Sequence, residues 1–207
     1  MLESALIVAG GYLVGSVPFG VVVVRLLRGE DIREHGSGNI GASNVLRTAG
    51  RWLGVPVALL DVGKGFVPAL VGLELGGEWV GILAGAAAMI GHARPVWLGF
   101  TRGGKMVATA GGVTLALAPL AAGISLAVWL AMVAVFRYAS LASLAAAVAL
   151  PLLCLALDEP PATAGFAAAA GLAVIALHRQ NIRRLLQGTE PKFARSTGKP
   201  PPQGGAR

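Results

Sequence analysis

Three polar stretches interrupt an otherwise apolar chain, and each carries residue types that bind phosphate. They read HGSGNIGASNVLR at 35–47, GHARPVWLGFTRGGK at 91–105 and HRQNIRRLL at 178–186. Glycine-rich backbone lets N–H groups approach an anion, Ser and Asn add directional hydrogen bonds, and Arg and Lys supply charge. The three stretches therefore predict binding of a ligand that carries one or two phosphates.

The second stretch delivers a lysine to the start of an apolar helix. Gly103 and Gly104 precede Lys105, and the apolar run begins near Met106. Free amides, the positive end of a helix dipole and a full charge would converge there, as in a phosphate cradle. It is not a Walker A motif, because the GxxxxGK[ST] spacing is absent. The alternative is a loop whose cations only orient the chain in a membrane.

The other two stretches also have plainer explanations. Ser–Gly–Asn–Gly composition is common in turns between helices. The third stretch is compatible with an amphipathic helix on anionic headgroups, a role that suits Arg183 and Arg184. His178 and Asn181 are not needed for that role, and their i, i+3 spacing places them together on another face.

Other chemistries find little support in the sequence. It contains no GxSxG elbow and no HExxH motif, which argues against ordinary ester hydrolysis and zinc proteolysis. His35 and His92 have no second ligand at metal spacing, so we expect no metal and no cofactor. Asp61 and Lys64 lie i and i+3 inside an apolar segment, and we predict a structural pair within one helix.

The elements that position these stretches are membrane helices. The chain has 207 residues, of which 55% are apolar and 13% charged, about half the charge of a typical soluble domain. Apolar runs near the roughly 20 residues that a bilayer crossing needs recur throughout. We predict an all-α fold, a polytopic integral membrane bundle of about seven helices. The predicted crossings are 4–26, 52–73, 79–94, 104–118, 120–136, 139–157 and 161–177; five crossings, with one hairpin not inserted, would leave the termini on the same sides.

Two interruptions are expected in these helices. One helix over 106–135 would be too long for a single span, and Pro119 lies at its middle, so two short segments are predicted. The sequence GSVPFG at 15–20 predicts a kink with a small packing surface in the first crossing.

The positive charge follows the alternation of these crossings. Of the 17 Lys and Arg residues, 16 fall on one side of the membrane and Lys64 lies within a span. The charged residues of the connections on the opposite side are all acidic. The positive-inside rule then places the N-terminus outside, the C-terminus in the cytoplasm and all three polar stretches at the cytoplasmic face. Topology thus explains the net charge of +7, and no nucleic-acid partner is expected.

The domain organisation is simple. We predict one transmembrane domain over residues 1–187 and a disordered, basic cytoplasmic tail over 188–207. The tail contains three consecutive prolines and several glycines, and it has no apolar periodicity. Nothing in the sequence specifies an oligomeric state.

Five motifs, in this order, resemble those of the PlsY family, the bacterial acyl-phosphate:glycerol-3-phosphate acyltransferases. They are GSVPFG at 15–20, GSGNIGASN at 36–44, LDVGKG at 60–65, the stretch 91–109 and HRQNI at 178–182. The resemblance implies a seven-helix enzyme of the cell inner (plasma) membrane with its active site facing the cytoplasm. It would transfer a fatty acyl group from acyl phosphate to the 1-hydroxyl of sn-glycerol 3-phosphate, giving lysophosphatidic acid and phosphate. Its expected partners are acyl phosphate, glycerol 3-phosphate and membrane lipid.

The resemblance also implies roles for individual residues. Those expected in catalysis are Ser37, Asn39, Arg47 and Lys105, which would hold phosphate groups, and His178 and Asn181, which would position glycerol 3-phosphate. Those expected to bind substrate or phosphate are Gly36, Gly38, Ser43, Asn44, Gly103, Gly104 and Thr109. Acyl phosphate is already an activated anhydride, so our hypothesis is that a donor phosphate oxygen accepts the hydroxyl proton, with His178 as the alternative general base.

Three positions depart from the family pattern. Ser43 replaces the usual Thr, Arg94 an aromatic residue, and Met106 the Gly that usually follows the lysine. A side chain at 106 fits only if the backbone there needs no positive φ. The competing function is a carrier of a phosphorylated solute, although no inverted repeat and no polar cluster near the midplane support it.

Overall fold

The computed structural model describes residues 1–193, and within them the regular structure is helical throughout. Two short 3₁₀ helices, Ile32–Glu34 and Val96–Leu98, lie in the first two polar regions. The α-helices in the described part are α1 (Leu2–Gly15), α2 (Phe19–Arg28), α3 (Ala42–Thr48), α4 (Arg51–Gly76), α5 (Glu78–Ala93), α6 (Val107–Leu117), α7 (Pro119–Phe136), α8 (Ala139–Ala156), α9 (Pro161–Leu177) and α10 (Arg179–Leu186).

Each predicted crossing coincides with a helix or with a broken helix. The first is interrupted between α1 and α2, around Pro18, at the place where the sequence predicts a kink. The expected division of 106–135 is confirmed, because α6 ends at Leu117 and Pro119 is the first residue of α7, where proline's missing N–H is tolerated. By length and apolarity, four described segments can span a bilayer, or five if α9 and α10, bent by 60°, count as one.

Small residues allow the helices to approach closely. A Cβ added at Gly15 of α1 would overlap Ala88 of α5, and one at Gly112 of α6 would overlap the Val62 carbonyl of α4. The α4 helix contacts α1, α2, α3, α5 and α6, whereas α7, α8 and α9 pack in series beside them. Such small-residue contacts are typical of helix association in lipid.

The outer surface of the bundle is apolar. Trp52 is 92% exposed, and Leu59 of α4 and Leu130 of α7 are more than half exposed. A soluble protein rarely exposes so much apolar surface, but the lipid-facing side of a membrane bundle requires it.

The first residues of the predicted tail do not follow the prediction of disorder. Glu190 is only 8% exposed, and the backbone N–H of Phe193 donates to the Arg137 carbonyl at 2.8 Å. Glu190 and Phe193 therefore contact the bundle, whereas Gly188, Thr189, Pro191 and Lys192 are exposed. These contacts could not be predicted from the sequence, because every partner that orders the segment lies outside it. The rest of the predicted tail, 194–207, lies outside the described residues.

Candidate functional site

The three polar stretches meet at one small cavity. Its volume is about 160 Å³. The lining residues come from all three stretches and are Ser37, Gly38, Asn39, Arg102, Gly103, Lys105, Gln180 and Arg184. Arg102, Gln180 and Arg184 were not among the predicted site residues, although their positions within the same stretches were a usable signal.

The first stretch is folded around a buried amide. Asn44, 1% exposed in the first turn of α3, donates from Nδ2 to the carbonyls of His35 at 3.0 Å and Asn39 at 2.9 Å. Its Oδ1 accepts from the Ser37 N–H at 3.0 Å. The Asn44 amide is thus used within the loop, so its predicted contact with substrate is replaced by a shaping role. The Ser37 side chain is left exposed at the cavity.

Asn39 joins the first stretch to the second. Its Nδ2 donates to the Gly103 carbonyl at 3.3 Å, and its Oδ1 accepts from the Gly41 N–H at 2.9 Å. Gly36 and Gly38 both have left-handed backbone, with φ of 61° and 68°, which glycine adopts without steric cost. These turns place Ser37 opposite the second stretch.

The glycine pair of the second stretch packs directly on the end of α5. The N–H groups of Gly103 and Gly104 donate to the carbonyls of Ala93 at 2.9 Å and His92 at 3.0 Å. A Cβ at Gly104 would overlap the His92 ring. The expectation of free, anion-binding amides at these two glycines is therefore wrong. They are required for close packing, and their turn delivers Lys105 to the cavity.

Met106 has the backbone conformation that the sequence analysis considered unsuitable for it. Its φ is 66° and its ψ is −8°, at the N-cap of α6. The side chain packs against an apolar cluster that includes Ala110, Val113 and Ala170, so it adds its bulk to the bundle interior. A left-handed non-glycine residue costs roughly 1–2 kcal/mol.

This strain reverses the usual order of alanine and glycine. Met106→Ala and Met106→Gly lose the same packing, but only the alanine keeps the left-handed penalty. We expect the glycine variant to have the higher free energy of unfolding, by about 1 kcal/mol, in denaturant titrations in detergent micelles. An alanine variant as stable as the glycine variant would contradict a strained Met106.

In the third stretch, the helix face that contains His178 and Asn181 is buried. His178 and Asn181 are 3% and 6% exposed, whereas Arg179 and Arg183 face outward, which confirms the predicted faces. The Nδ1 of His178 lies 2.8 Å from the Val174 carbonyl, which can only accept, so Nδ1 carries the proton. Burial lowers the pKa of His178, just beyond α9, to about 4. The ring is neutral near pH 7, and its Nε2 is a hydrogen-bond acceptor.

A buried carboxylate organises the cations of the site. Lys105 Nζ donates to Asn181 Oδ1 at 2.6 Å, and Asn181 Nδ2 donates to Glu190 Oε1 at 2.6 Å. Arg184 Nε donates to the other oxygen, Oε2, at 2.6 Å. Burial alone would raise the pKa of Glu190, but the polar side chains of Ser140, Asn181 and Arg184 hold it below its ordinary value. Arg184 therefore faces this network, in contrast to its predicted role on headgroups.

Glu190 was missed by the sequence analysis, although one signal marked it. It is the only acid after Glu159, in a segment otherwise rich in cations. A single acid among many cations is a natural counter-ion for them.

The cations around Lys105 repel one another. Burial is the main reason that the pKa of Lys105 is lowered to about 8; Glu190 opposes this shift, and Arg184, Arg102 and Arg47 contribute to it. Arg47 is half-buried in the last turn of α3, where burial also lowers its pKa. Among residues 1–193, Glu190 is the carboxylate that faces these four cations, so the cavity favours an anion.

Three further positions that the sequence analysis singled out lie away from the cavity wall. Thr109 is fully buried, and a Cβ at Gly65 of α4 would overlap its backbone, so its predicted substrate contact gives way to helix packing. Ser43 is half-buried in α3, and Arg94 is exposed where α5 ends. The cavity lining includes none of the three, and it also does not include Arg47, His178 or Asn181.

Comparisons with known proteins agree on one family. A family model described as glycerol-3-phosphate acyltransferase matches residues 5–188. The glycerol-3-phosphate acyltransferase of Synechococcus sp. (strain JA-3-3Ab) is 47% identical over 200 residues, which cover 97% of this chain and 98% of the relative. That of Geobacter sulfurreducens is 46% identical over 194 residues, which cover 93% and 99%.

Two crystal structures are also similar over most of the chain. Both are of PlsY (YgiH), an integral membrane glycerol 3-phosphate acyltransferase. Its glycerol 3-phosphate form has a TM-score of 0.88 and 42% identity, covering 93% of this chain and 96% of that one. Its lysophosphatidic acid form has a TM-score of 0.86 and 41% identity over the same shares.

Proposed function

Because the chain belongs to the glycerol-3-phosphate acyltransferase family, we propose that the cavity between its three polar stretches is where glycerol 3-phosphate is acylated. The protein is an all-helical integral membrane enzyme and a glycerol-3-phosphate acyltransferase. The proposal adds acyl phosphate as the donor, with lysophosphatidic acid and inorganic phosphate as products. The single observation that carries it is the convergence of Ser37, Asn39 and Lys105 at one cavity of excess positive charge.

The phosphate groups of both substrates are the ligands that this charge favours. Lys105 and Arg184 reach the cavity, and Arg47 adds its charge nearby. Ser37 contributes a hydroxyl on the opposite wall. Glu190 and Asn181 hold the Lys105 ammonium in place, so the cation is preorganised before the substrate binds.

The acyl transfer itself needs little from the protein beyond orientation and charge. The glycerol 3-phosphate hydroxyl oxygen attacks the acyl carbonyl carbon, and the bond from that carbon to the phosphate oxygen breaks. The hydroxyl proton passes to a phosphate oxygen of the donor, so inorganic phosphate leaves and lysophosphatidic acid remains. Lys105 stabilises the charge that develops on the departing phosphate. His178, neutral with a bare Nε2, accepts a hydrogen bond from the second hydroxyl of glycerol 3-phosphate and so orients the substrate, which leaves the proton of the attacking hydroxyl free to reach the donor phosphate.

His178 is expected to orient glycerol 3-phosphate and not to remove the proton of the attacking hydroxyl. A base whose pKa is about 4 is weak, so its loss should cost little beyond orientation. We expect His178→Asn to retain about a tenth of the wild-type kcat, with the pH profile unchanged. A loss of about 10³-fold together with a lost limb of the profile would identify His178 as the general base.

The pH dependence should follow Lys105. Its pKa is about 8, so the ammonium loses its charge as the pH rises through that value. We expect kcat/KM for glycerol 3-phosphate to fall above about pH 8 in the free enzyme. In Lys105→Arg this basic limb should move well above pH 9, because a guanidinium stays protonated there. A limb that stays near pH 8 in this variant would contradict the assignment.

We further propose seven crossings, with the N-terminus outside, the C-terminus in the cytoplasm and the site at the cytoplasmic face of the cell inner membrane. The seven helices or broken helices that coincide with the predicted segments support this, as does the one-sided distribution of Lys and Arg. Residues 1–187 form one domain in this proposal. The contacts of Glu190 and Phe193 extend the packed region to at least residue 193.

The proposed function is tested by reconstitution. Purified protein in detergent or liposomes is given acyl phosphate and glycerol 3-phosphate, and lysophosphatidic acid and inorganic phosphate are measured together. We expect equimolar release of the two products. Failure to form either product, with uptake of glycerol 3-phosphate into vesicles, would instead support the carrier of a phosphorylated solute.

A further inference from the structure

Beside the cavity, α4 contains a buried ion pair that the proposed chemistry does not use. Asp61 and Lys64 are 2% and 3% exposed, and Lys64 Nζ lies 2.7 Å from Asp61 Oδ1. The predicted pairing is thus confirmed. Charged side chains within a membrane helix are costly, and replacing such a pair by apolar residues is often neutral or stabilising. Stability alone is therefore a weak reason for this pair.

Lys64 connects the pair to the break between α1 and α2. Its Nζ donates to the Val17 carbonyl at 2.9 Å and lies 5.6 Å from the centre of the Phe19 ring. The break in turn abuts the first polar stretch, because a Cβ at Gly20 would overlap the Ile40 carbonyl. The position of Lys64 is thereby transmitted to the loop that contains Ser37 and Asn39.

His92 connects the same pair to the second polar stretch. Its ring is 3% exposed, and its Nδ1 lies 3.6 Å from Asp61 Oδ1. The ring packs so closely on Gly104 that a Cβ there would overlap Nε2. The His92 carbonyl also accepts from the Gly104 N–H at 3.0 Å. The imidazole therefore forms the back wall of the turn that delivers Lys105.

We propose that Asp61, Lys64 and His92 are positioning residues for acyl transfer, which hold the Ser37 loop and the Lys105 turn in register through α4. The two walls meet where Asn39 Nδ2 donates to the Gly103 carbonyl at 3.3 Å. None of the three side chains is among the residues that line the cavity. This inference rests on the proposed site.

The test compares purified, folded variants well below their unfolding midpoints. His92→Ala empties the space behind Gly104, and Asp61→Asn keeps the shape of the side chain but removes its charge. We expect kcat/KM for glycerol 3-phosphate to fall about 10- to 100-fold in His92→Ala and at least about fivefold in Asp61→Asn. The loss should be mainly in kcat, because the reacting groups are misaligned in protein that remains folded.

The control is a buried polar contact remote from the cavity. Thr163 Oγ1 donates to Glu78 Oε1 at 2.8 Å between α9 and α5, so Thr163→Val lowers stability without disturbing the cavity. It should keep wild-type kcat and KM. If the Asp61→Asn and Thr163→Val variants have the same kinetics at equal stability, the positioning role is overturned, and this comparison decides even where His92→Ala fails to fold.

A Lys105→Ala variant assayed alongside distinguishes failure of the positioning role from failure of the proposed site. If Lys105→Ala is inactive while the His92 and Asp61 variants match wild type, only the positioning role fails. If Lys105→Ala itself keeps full activity, the proposed site fails as well.

Discussion

Replacing Lys105 with alanine is expected to lower kcat/KM for acyl transfer about 10²- to 10³-fold. Lys105 is the ammonium that the glycine turn delivers to the cavity, and its Nζ lies 2.6 Å from Asn181 Oδ1. Without it, the departing phosphate loses a preorganised cation in a site from which much of the solvent is excluded. The measurement is the initial rate of lysophosphatidic acid formation by folded protein of matched concentration.

Lys192 provides a matched control for that variant. It is also a lysine, but it lies over the Tyr138 ring, 5.0 Å from its centre, outside the cavity lining. Lys192→Ala should retain wild-type activity within about twofold, because a surface cation–π contact contributes only about 0.5–1 kcal/mol, mainly to stability. Full acyl transfer by Lys105→Ala would refute the site assignment.

Replacing Glu190 with alanine is expected to lower both stability and activity. Its carboxylate accepts from Asn181 and Arg184, each at 2.6 Å. Removing one partner of a buried, hydrogen-bonded charge leaves the others uncompensated, at a cost of about 2–3 kcal/mol here, since Arg184 is partly exposed. Lys105 and Asn181 lose their orientation in the same step, so kcat/KM should fall at least about tenfold. Thermal unfolding and initial rates measure the two effects.

The neighbouring Thr189 provides the control for Glu190. Thr189 is exposed, and Thr189→Ala should leave both the unfolding midpoint and the rate unchanged.

The contribution of Glu190 to stability should depend on pH. The pKa of the Glu190 carboxylate is lowered in the folded protein. Its stabilisation is therefore present above its unfolded pKa of about 4.3 and is lost as the pH falls through the lower folded value. A Glu190→Ala variant with wild-type stability at neutral pH would contradict the network.

Most helices of the fold could be predicted because their signal is local. Apolar runs of bilayer length define the helices, and Pro18 and Pro119 interrupt two of them where a missing N–H and a fixed φ dictate it. The buried face of His178 and Asn181 likewise follows from helical spacing alone. These features need no knowledge of what lies across the bundle.

The parts of the site that could not be predicted depend on contacts between distant residues. Gly103 and Gly104 have the composition of an anion-binding turn, yet their amides bond to the end of α5. Asn44 has the right side chain for a ligand, but the loop that it shapes uses its amide. Glu190 is ordered by Asn181 and Arg184. Composition indicates which groups are present, but only the packing of the three stretches determines which of them face the cavity.

Met106 was expected to fit at its position only if its φ is not positive. The observed φ is 66°. The side chain is accommodated because it packs with the apolar cluster of α6 and α9. The methionine in place of glycine therefore strains the backbone, while its side chain packs inside the bundle.

The central claim is that substrate phosphate binds at the Lys105 cavity, and a crystal structure of this chain with glycerol 3-phosphate tests it most directly. The account predicts a phosphate oxygen within about 3 Å of Lys105 Nζ, with the second glycerol hydroxyl towards His178 Nε2. A phosphate bound elsewhere, with Lys105 still donating only to Asn181, would contradict it.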